Sequence, residues 1–147
     1  MAFDLDSKSF WDESQVEGEL KRVFDICNGC RRCYNLCPSF NDLFSRLDRD
    51  SVDGEAEKLG PSDLRSVTDL CYQCKLCFNN CPYTPPHRWD VDFPRLMLRS
   101  KAVQVKREGS SLQDRFLGQT DLIGRLGTLL APLANWANRN RLNRWIL

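Results

Sequence analysis

The sequence predicts a mainly α-helical protein, and three observations lead to that prediction. Apolar residues recur at intervals of three and four along most of the chain, which is the period of an amphipathic helix. Prolines, glycines and short polar residues stand at the ends of these segments, where such residues cap helices. The alternation of apolar and polar residues that marks a β-strand is nearly absent.

The first half of the chain contains two predicted helices after a loose lead of eleven residues. Ser14 and Glu17 form a capping box, and the helix that they begin runs into Cys27. Ser39 and Asp42 form a similar pair at the start of a second helix. The spacing of the apolar residues predicts that both helices bury one face.

Residues 49–60 are polar and predict a loop, after which Pro61 begins a third helix. A proline-rich strap at 82–89 leads to Asp92, which is expected to cap a helix that ends at Gly109. This pattern predicts a folded domain over residues 14–109, followed by a helical tail over residues 110–147.

The predicted tail contains three short helical patterns, which start near Ser111, Thr120 and Pro132. Arg125 and a basic group of Arg139, Arg141 and Arg144 flank an apolar face. That face carries five leucines, which are Leu122, Leu126, Leu129, Leu130 and Leu133. Such a stripe must be buried somewhere. The alternatives are the folded domain before it, a missing second half of the protein, a partner subunit and the inner membrane surface, which is included because a basic apolar helix suits anionic lipid.

All eight cysteines belong to two copies of one motif, C-x2-C-x2-C-x3-C-P, at residues 27–38 and 71–82. Bacterial ferredoxins hold [4Fe–4S] clusters with this spacing. Three thiolates at i, i+3 and i+6 can wrap one side of a cube, and the proline directs the chain away after the fourth cysteine. The motifs therefore predict two [4Fe–4S] clusters.

The fourth cysteine of each motif ligates the other cluster in two-cluster ferredoxins. The same crossing here predicts two ligand sets. They are Cys27, Cys30, Cys33 and Cys81 for the first cluster, and Cys71, Cys74, Cys77 and Cys37 for the second.

Disulfides and zinc are the alternative uses of the cysteines. The N-terminal sequence is acidic and lacks the apolar run of a secretory signal, which predicts a cytoplasmic chain with reduced thiols. Zinc sites usually pair two C-x2-C units about 15–20 residues apart, whereas a third cysteine follows each pair here. Both alternatives fit the spacing less well than iron–sulfur clusters.

The net charge of +1 gives no electrostatic basis for binding nucleic acid. The longest uncharged run, 126–138, is shorter than the roughly 20 residues of a membrane-spanning helix. Arg31, Arg32 and Lys75 lie between the cysteines and could offset cluster charge or steer an acidic partner, with a solvated loop as the alternative.

Two such motifs around a helical segment resemble the all-helical ferredoxin domain of succinate dehydrogenase and fumarate reductase iron–sulfur subunits. The heterodisulfide-reductase-related family contains the same domain. The stretches PPHRWDVDFPRLMLR at 85–99 and LAPLANWANRNR at 130–141 are also similar to the member of that family found in anaerobic glycerol-3-phosphate dehydrogenase. The resemblance covers about residues 15–147.

The resemblance implies an all-helical two-cluster ferredoxin domain with a helical C-terminal tail. Such an electron-transfer subunit would relay electrons between a flavoprotein dehydrogenase, or another redox subunit, and a quinone or other acceptor, without a catalytic residue of its own. Family members usually continue into a half with Cys-Cys-Gly modules. The lack of an adjacent cysteine pair here predicts a truncated or split member.

Two other classes of function use the same motifs. An assembly or interaction subunit would hold structural clusters that need not cycle at an accessible potential. A reductase that reacts with substrate at a cluster needs an open iron, and one cysteine for each of the irons in two cubes leaves none.

Overall fold

The computed structural model describes residues 4–139 and divides the chain into two compact units, the first ending at Glu108 and the second beginning at Gly109. Within the described residues the regular structure is entirely helical, which confirms the predicted fold class. The α-helices are α1 Glu13–Cys30, α2 Pro38–Leu47, α3 Pro61–Asp69, α4 Leu76–Asn80, α5 Phe93–Glu108, α6 Leu112–Gly118 and α7 Thr120–Arg139.

The core of the first unit lies among α1, α2, α3 and α5. Each of these helices buries the apolar positions that its spacing predicts. The fully buried side chains include Val23, Phe24, Phe40, Leu43, Phe44, Leu47, Val67 and Met97. Removal of this apolar surface from water is the main stabilising contribution to the unit. The helices thereby hold the two cysteine motifs, which lie at their ends, in fixed positions.

Two predicted caps are wrong. The carboxylate of Asp12, not the hydroxyl of Ser14, caps α1 by accepting from the backbone N–H of Ser14 at 2.9 Å. Ser39 is buried inside α2, where its hydroxyl donates to the carbonyl of Val67 on α3 at 2.8 Å. Both pairs fit the sequence pattern of a capping residue. In the structure, however, α1 begins before Ser14, and Ser39 lies inside α2 with its side chain buried.

The predicted loop at 49–60 is largely irregular, but it is less solvated than its composition indicates. Its side chains Val52, Ala56 and Leu59 are buried in the core, and a short 3-10 helix covers Ala56–Lys58. The predicted cap of α5 is confirmed, because Asp92 accepts from the backbone of Arg95.

Within residues 110–139 the tail forms two helices rather than three. Ser111 caps α6 as predicted, with its hydroxyl accepting from the N–H of Asp114 at 3.0 Å. The prediction of a separate helix from Pro132 is wrong, because α7 continues through that residue. Leucine and alanine on both sides of Pro132 are strong helix formers, and they offset the hydrogen bond that proline cannot make.

The five leucines of the predicted tail stripe are all exposed on α7, as is Trp136. No helix in the described range 4–139 is both long and apolar enough to cross a bilayer. Two members of the predicted basic group, Arg141 and Arg144, lie outside the described residues.

Candidate iron–sulfur centres

The first cysteine motif begins in a helix and ends in a turn. Cys27 and Cys30 lie in the last turns of α1, Cys33 follows in a turn, and Cys37 directly precedes α2. Arg31 ends α1 in the left-handed region, with φ of 49°. This residue redirects the chain so that the later cysteines are not on the continuation of the helix.

The second motif has the same cysteine spacing, but its helical and irregular segments come in the opposite order. Cys71 and Cys74 lie in an irregular segment after α3, whereas Cys77 lies in α4. Lys75, which holds the position of Arg31 in the repeat, is also left-handed, with φ of 62°. The two copies therefore share one backbone reversal after their second cysteine, although the helix comes before it in one copy and after it in the other.

The eight thiols gather around two small cavities, and all are free of disulfide bonds. The first cavity is lined by Cys27, Cys30, Cys33 and Cys81, together with Arg31, Arg32 and mainly apolar residues. The second cavity is lined by Cys37, Cys71, Cys74 and Cys77. Each cavity thus draws three thiols from one motif and one from the other, in the same sets as the predicted ligands, whose ligation stays a prediction.

The ring of Phe40 lines both cavities. It is 1% exposed and stacks on Phe93 of α5, with ring centroids 4.5 Å apart. A second stacking contact, at 5.9 Å, joins it to Phe44. One side chain of the helical core is therefore a wall shared by the two cysteine sets.

The donor atoms fit thiolate-ligated clusters. Neither cavity is lined by a carboxylate or an imidazole, and iron–sulfur clusters are held mainly by cysteine thiolates. Across residues 4–139 no three Cys, His, Asp or Glu side chains are close enough to hold a single metal ion.

Burial keeps several of these thiols neutral when no metal is bound. It raises the pKa of Cys27 well above its usual range and that of Cys77 to about 12, and neighbouring thiols add to both effects. Because metals bind the thiolate, loading of the sites must release protons. At these buried positions the thiolate is then stabilised by its bond to the metal.

Polar groups that could tune a bound cluster lie beside the thiols. The backbone N–H of Tyr83 donates to Cys81 Sγ at 3.4 Å, and the side chain of Gln73 donates to Cys71 Sγ at 3.5 Å. Hydrogen bonds of this kind, together with nearby charge, set the reduction potential of iron–sulfur clusters.

Sequence reasoning missed Lys101 of α5, whose ammonium donates to the carbonyl of Cys71 at 2.6 Å. Burial raises the pKa of the Cys71 thiol, and the charge of Lys101 acts in the opposite direction. Lys101 follows the buried Met97 by one helical turn, so the helical period could have placed it near the core.

The three basic residues that lie between the cysteines in sequence differ in their surroundings. Arg31 pairs with Asp48, with a hydrogen bond of 2.8 Å, and its guanidinium lies 5.2 Å from the ring centroid of Phe44. Arg32 is exposed and donates to the carbonyl of Asn80 at 3.4 Å, which links the two motifs. Lys75 is exposed and lines the second cavity.

Comparison with known proteins decides the family. The citrate utilization protein B Fer4-like domain matches residues 20–107, a range that contains all eight cysteines. This chain belongs to that family. Membership implies a ferredoxin-like domain that binds iron–sulfur clusters. The narrower resemblance to anaerobic glycerol-3-phosphate dehydrogenase stays a prediction.

A curated relative of this Fer4-like chain is citrate utilization protein B of Escherichia coli. The two are 31% identical over 84 residues, which are 57% of this chain and 20% of the relative. The match thus spans about a fifth of the length of that protein. No solved structure matches the chain.

Proposed function

We propose that this domain carries two [4Fe–4S] clusters and relays electrons between a flavoprotein dehydrogenase, or another redox subunit, and a quinone or other acceptor. The observation that carries the proposal is the pair of cavities, each lined by four free thiols. A bound cluster supplies reversible one-electron chemistry, and the protein supplies ligands, burial and tuning charges.

The residues of the chain have separate roles in this proposal. The thiolates bind iron, while Phe40 and the neighbouring core side chains limit the access of water. Lys101 places a positive charge beside the second set, which favours the more negative, reduced state there. No residue is assigned a catalytic role, so substrate chemistry would belong to a partner subunit.

Anaerobically purified protein should contain about eight irons and eight sulfides, as expected for two cubes. Dithionite should reduce both clusters, because an electron carrier must cycle at an accessible potential. Iron and sulfide analysis, followed by EPR of the reduced sample, measures both properties. Bound zinc without sulfide would remove the proposal, and clusters that resist reduction would favour a structural role in assembly.

We also propose that the tail holds the domain on the cytoplasmic face of a membrane. Its support is the exposed leucine face of α7, with Trp136 and Arg125 on the same helix. An amphipathic helix of this kind binds at the interface of anionic lipid.

Deletion of residues 119–147 should leave the iron content unchanged and abolish cosedimentation with vesicles that contain phosphatidylglycerol. Phosphatidylcholine vesicles are the matched control, because basic residues gain little from neutral lipid. Loss of iron on deletion would make the tail part of the core. Equal cosedimentation of the full and shortened chains would exclude it as the membrane contact.

A further inference from the structure

The two cysteine cavities differ in what surrounds them at the surface. Around the first, the exposed lining residues are Arg32 and Pro82. Around the second, five lining residues are exposed: Leu36, Tyr72, Cys74, Lys75 and Leu76. Only the second set therefore has an exposed cysteine, Cys74, which shares its cavity with three exposed large apolar side chains.

Two large apolar side chains of the second cavity have a high exposed fraction. Tyr72 is 73% exposed and Leu76 is 55% exposed, although each is next to a predicted ligand in sequence. Contiguous exposed apolar side chains at a functional site mark an interaction surface, and tyrosine is enriched in protein interfaces. Lys75 is the one charged residue among those that line this cavity.

We propose that Leu36, Tyr72, Lys75 and Leu76, called here the second-cavity rim, are the docking face for the redox partner protein. The partner surface would present an apolar patch with a carboxylate opposite Lys75. The inference rests on the proposed electron-transfer function. One electron would pass between the partner's redox centre and the cluster beside Cys74, one centre being oxidised as the other is reduced, with no bond formed or broken.

In this arrangement the partner docks at the second cavity, and the first cavity has no direct contact with it. Its thiols are all partly buried, and none is exposed as Cys74 is. Phe40 lines both cavities, so the two sets are neighbours, and in this proposal an electron at the first set reaches the rim through the second set. The surface around the second cavity therefore controls exchange with the partner.

An acidic flavodoxin, a one-electron carrier of known surface charge, serves as the probe. Stopped-flow measurement of electron transfer between it and the iron-loaded protein should show a roughly tenfold slower rate for Lys75→Glu at low salt. The difference should shrink at about 0.5 M salt, where charges are screened. Lys58→Glu, which reverses an exposed charge that lines neither cavity, is the control for net charge.

Tyr72→Ser tests the apolar part of the rim and is exposed enough to leave the fold intact. It should also slow transfer, with the iron content unchanged. Equal slowing by Lys58→Glu, or greater slowing by Arg32→Glu at the first cavity, would overturn the docking face. Protection of Tyr72 from chemical modification by anionic vesicles, but not by flavodoxin, would also overturn the docking face, because the rim would then be a lipid contact.

Failure of this inference can be told from failure of the proposed function. A protein that contains no reducible cluster would remove the proposed function, and the docking face with it. A protein whose clusters reduce normally, but whose transfer rate is unchanged in both rim variants, would overturn the docking face alone.

Discussion

Cys37→Ser should remove or convert the cluster of the second cavity, although Cys37 belongs to the first motif. Its thiol lines the cavity with Cys71, Cys74 and Cys77. Serine is a poor replacement for a soft thiolate ligand. Bound iron should fall from about eight towards about four per chain, because one of two cubes is affected.

The comparison variants are Cys74→Ser and Cys30→Ser, which belong to the two different cavities. The EPR spectrum of Cys37→Ser should match that of Cys74→Ser and differ from that of Cys30→Ser. This design needs no prior assignment of either signal. A match with Cys30→Ser would instead show that each motif serves its own cluster.

Phe40→Ala should destabilise the iron-loaded protein by about 3–5 kcal/mol, the usual effect of truncating a buried phenylalanine. Since Phe40 lines both cavities, both clusters should also be lost faster. Anaerobic denaturant unfolding and the decay of the visible absorbance measure the two effects.

Phe116→Ala is the matched control, because Phe116 is 57% exposed. We expect it to change stability by less than about 0.5 kcal/mol, as surface substitutions usually do. Loss of one cluster at the normal rate in Phe40→Ala would contradict the idea of a shared wall.

Much of the first unit could be predicted because its helices bury one face. The spacing of Leu43, Leu47, Leu96 and Met97 reports burial directly. The capping prediction at Ser14 and the helix start at Pro132 are wrong, since local patterns there compete with neighbouring sequence. The burial of loop side chains such as Val52 and Leu59 depends on tertiary packing, which periodicity does not show.

The thiol positions are evident from sequence, but their surroundings are not. Arg31 and Lys75 occupy the same place in the repeat, yet one is paired with Asp48 and the other lines an exposed rim. Tyr72 likewise replaces Asn28 at an equivalent position, and the amide of Asn28 donates to a carbonyl of the loop at 2.9 Å. Contacts between distant segments decide these differences.

The sharing of thiols between motifs constrains the order of events during synthesis on the ribosome. The first set is incomplete until Cys81 has been made, and the second is incomplete until Cys77 has been made. Domains generally fold as units during synthesis, and a nascent chain that ends before α4 offers neither complete set. Both sets therefore become complete almost together, when Cys81 has left the ribosome and the core helix α5 has yet to follow.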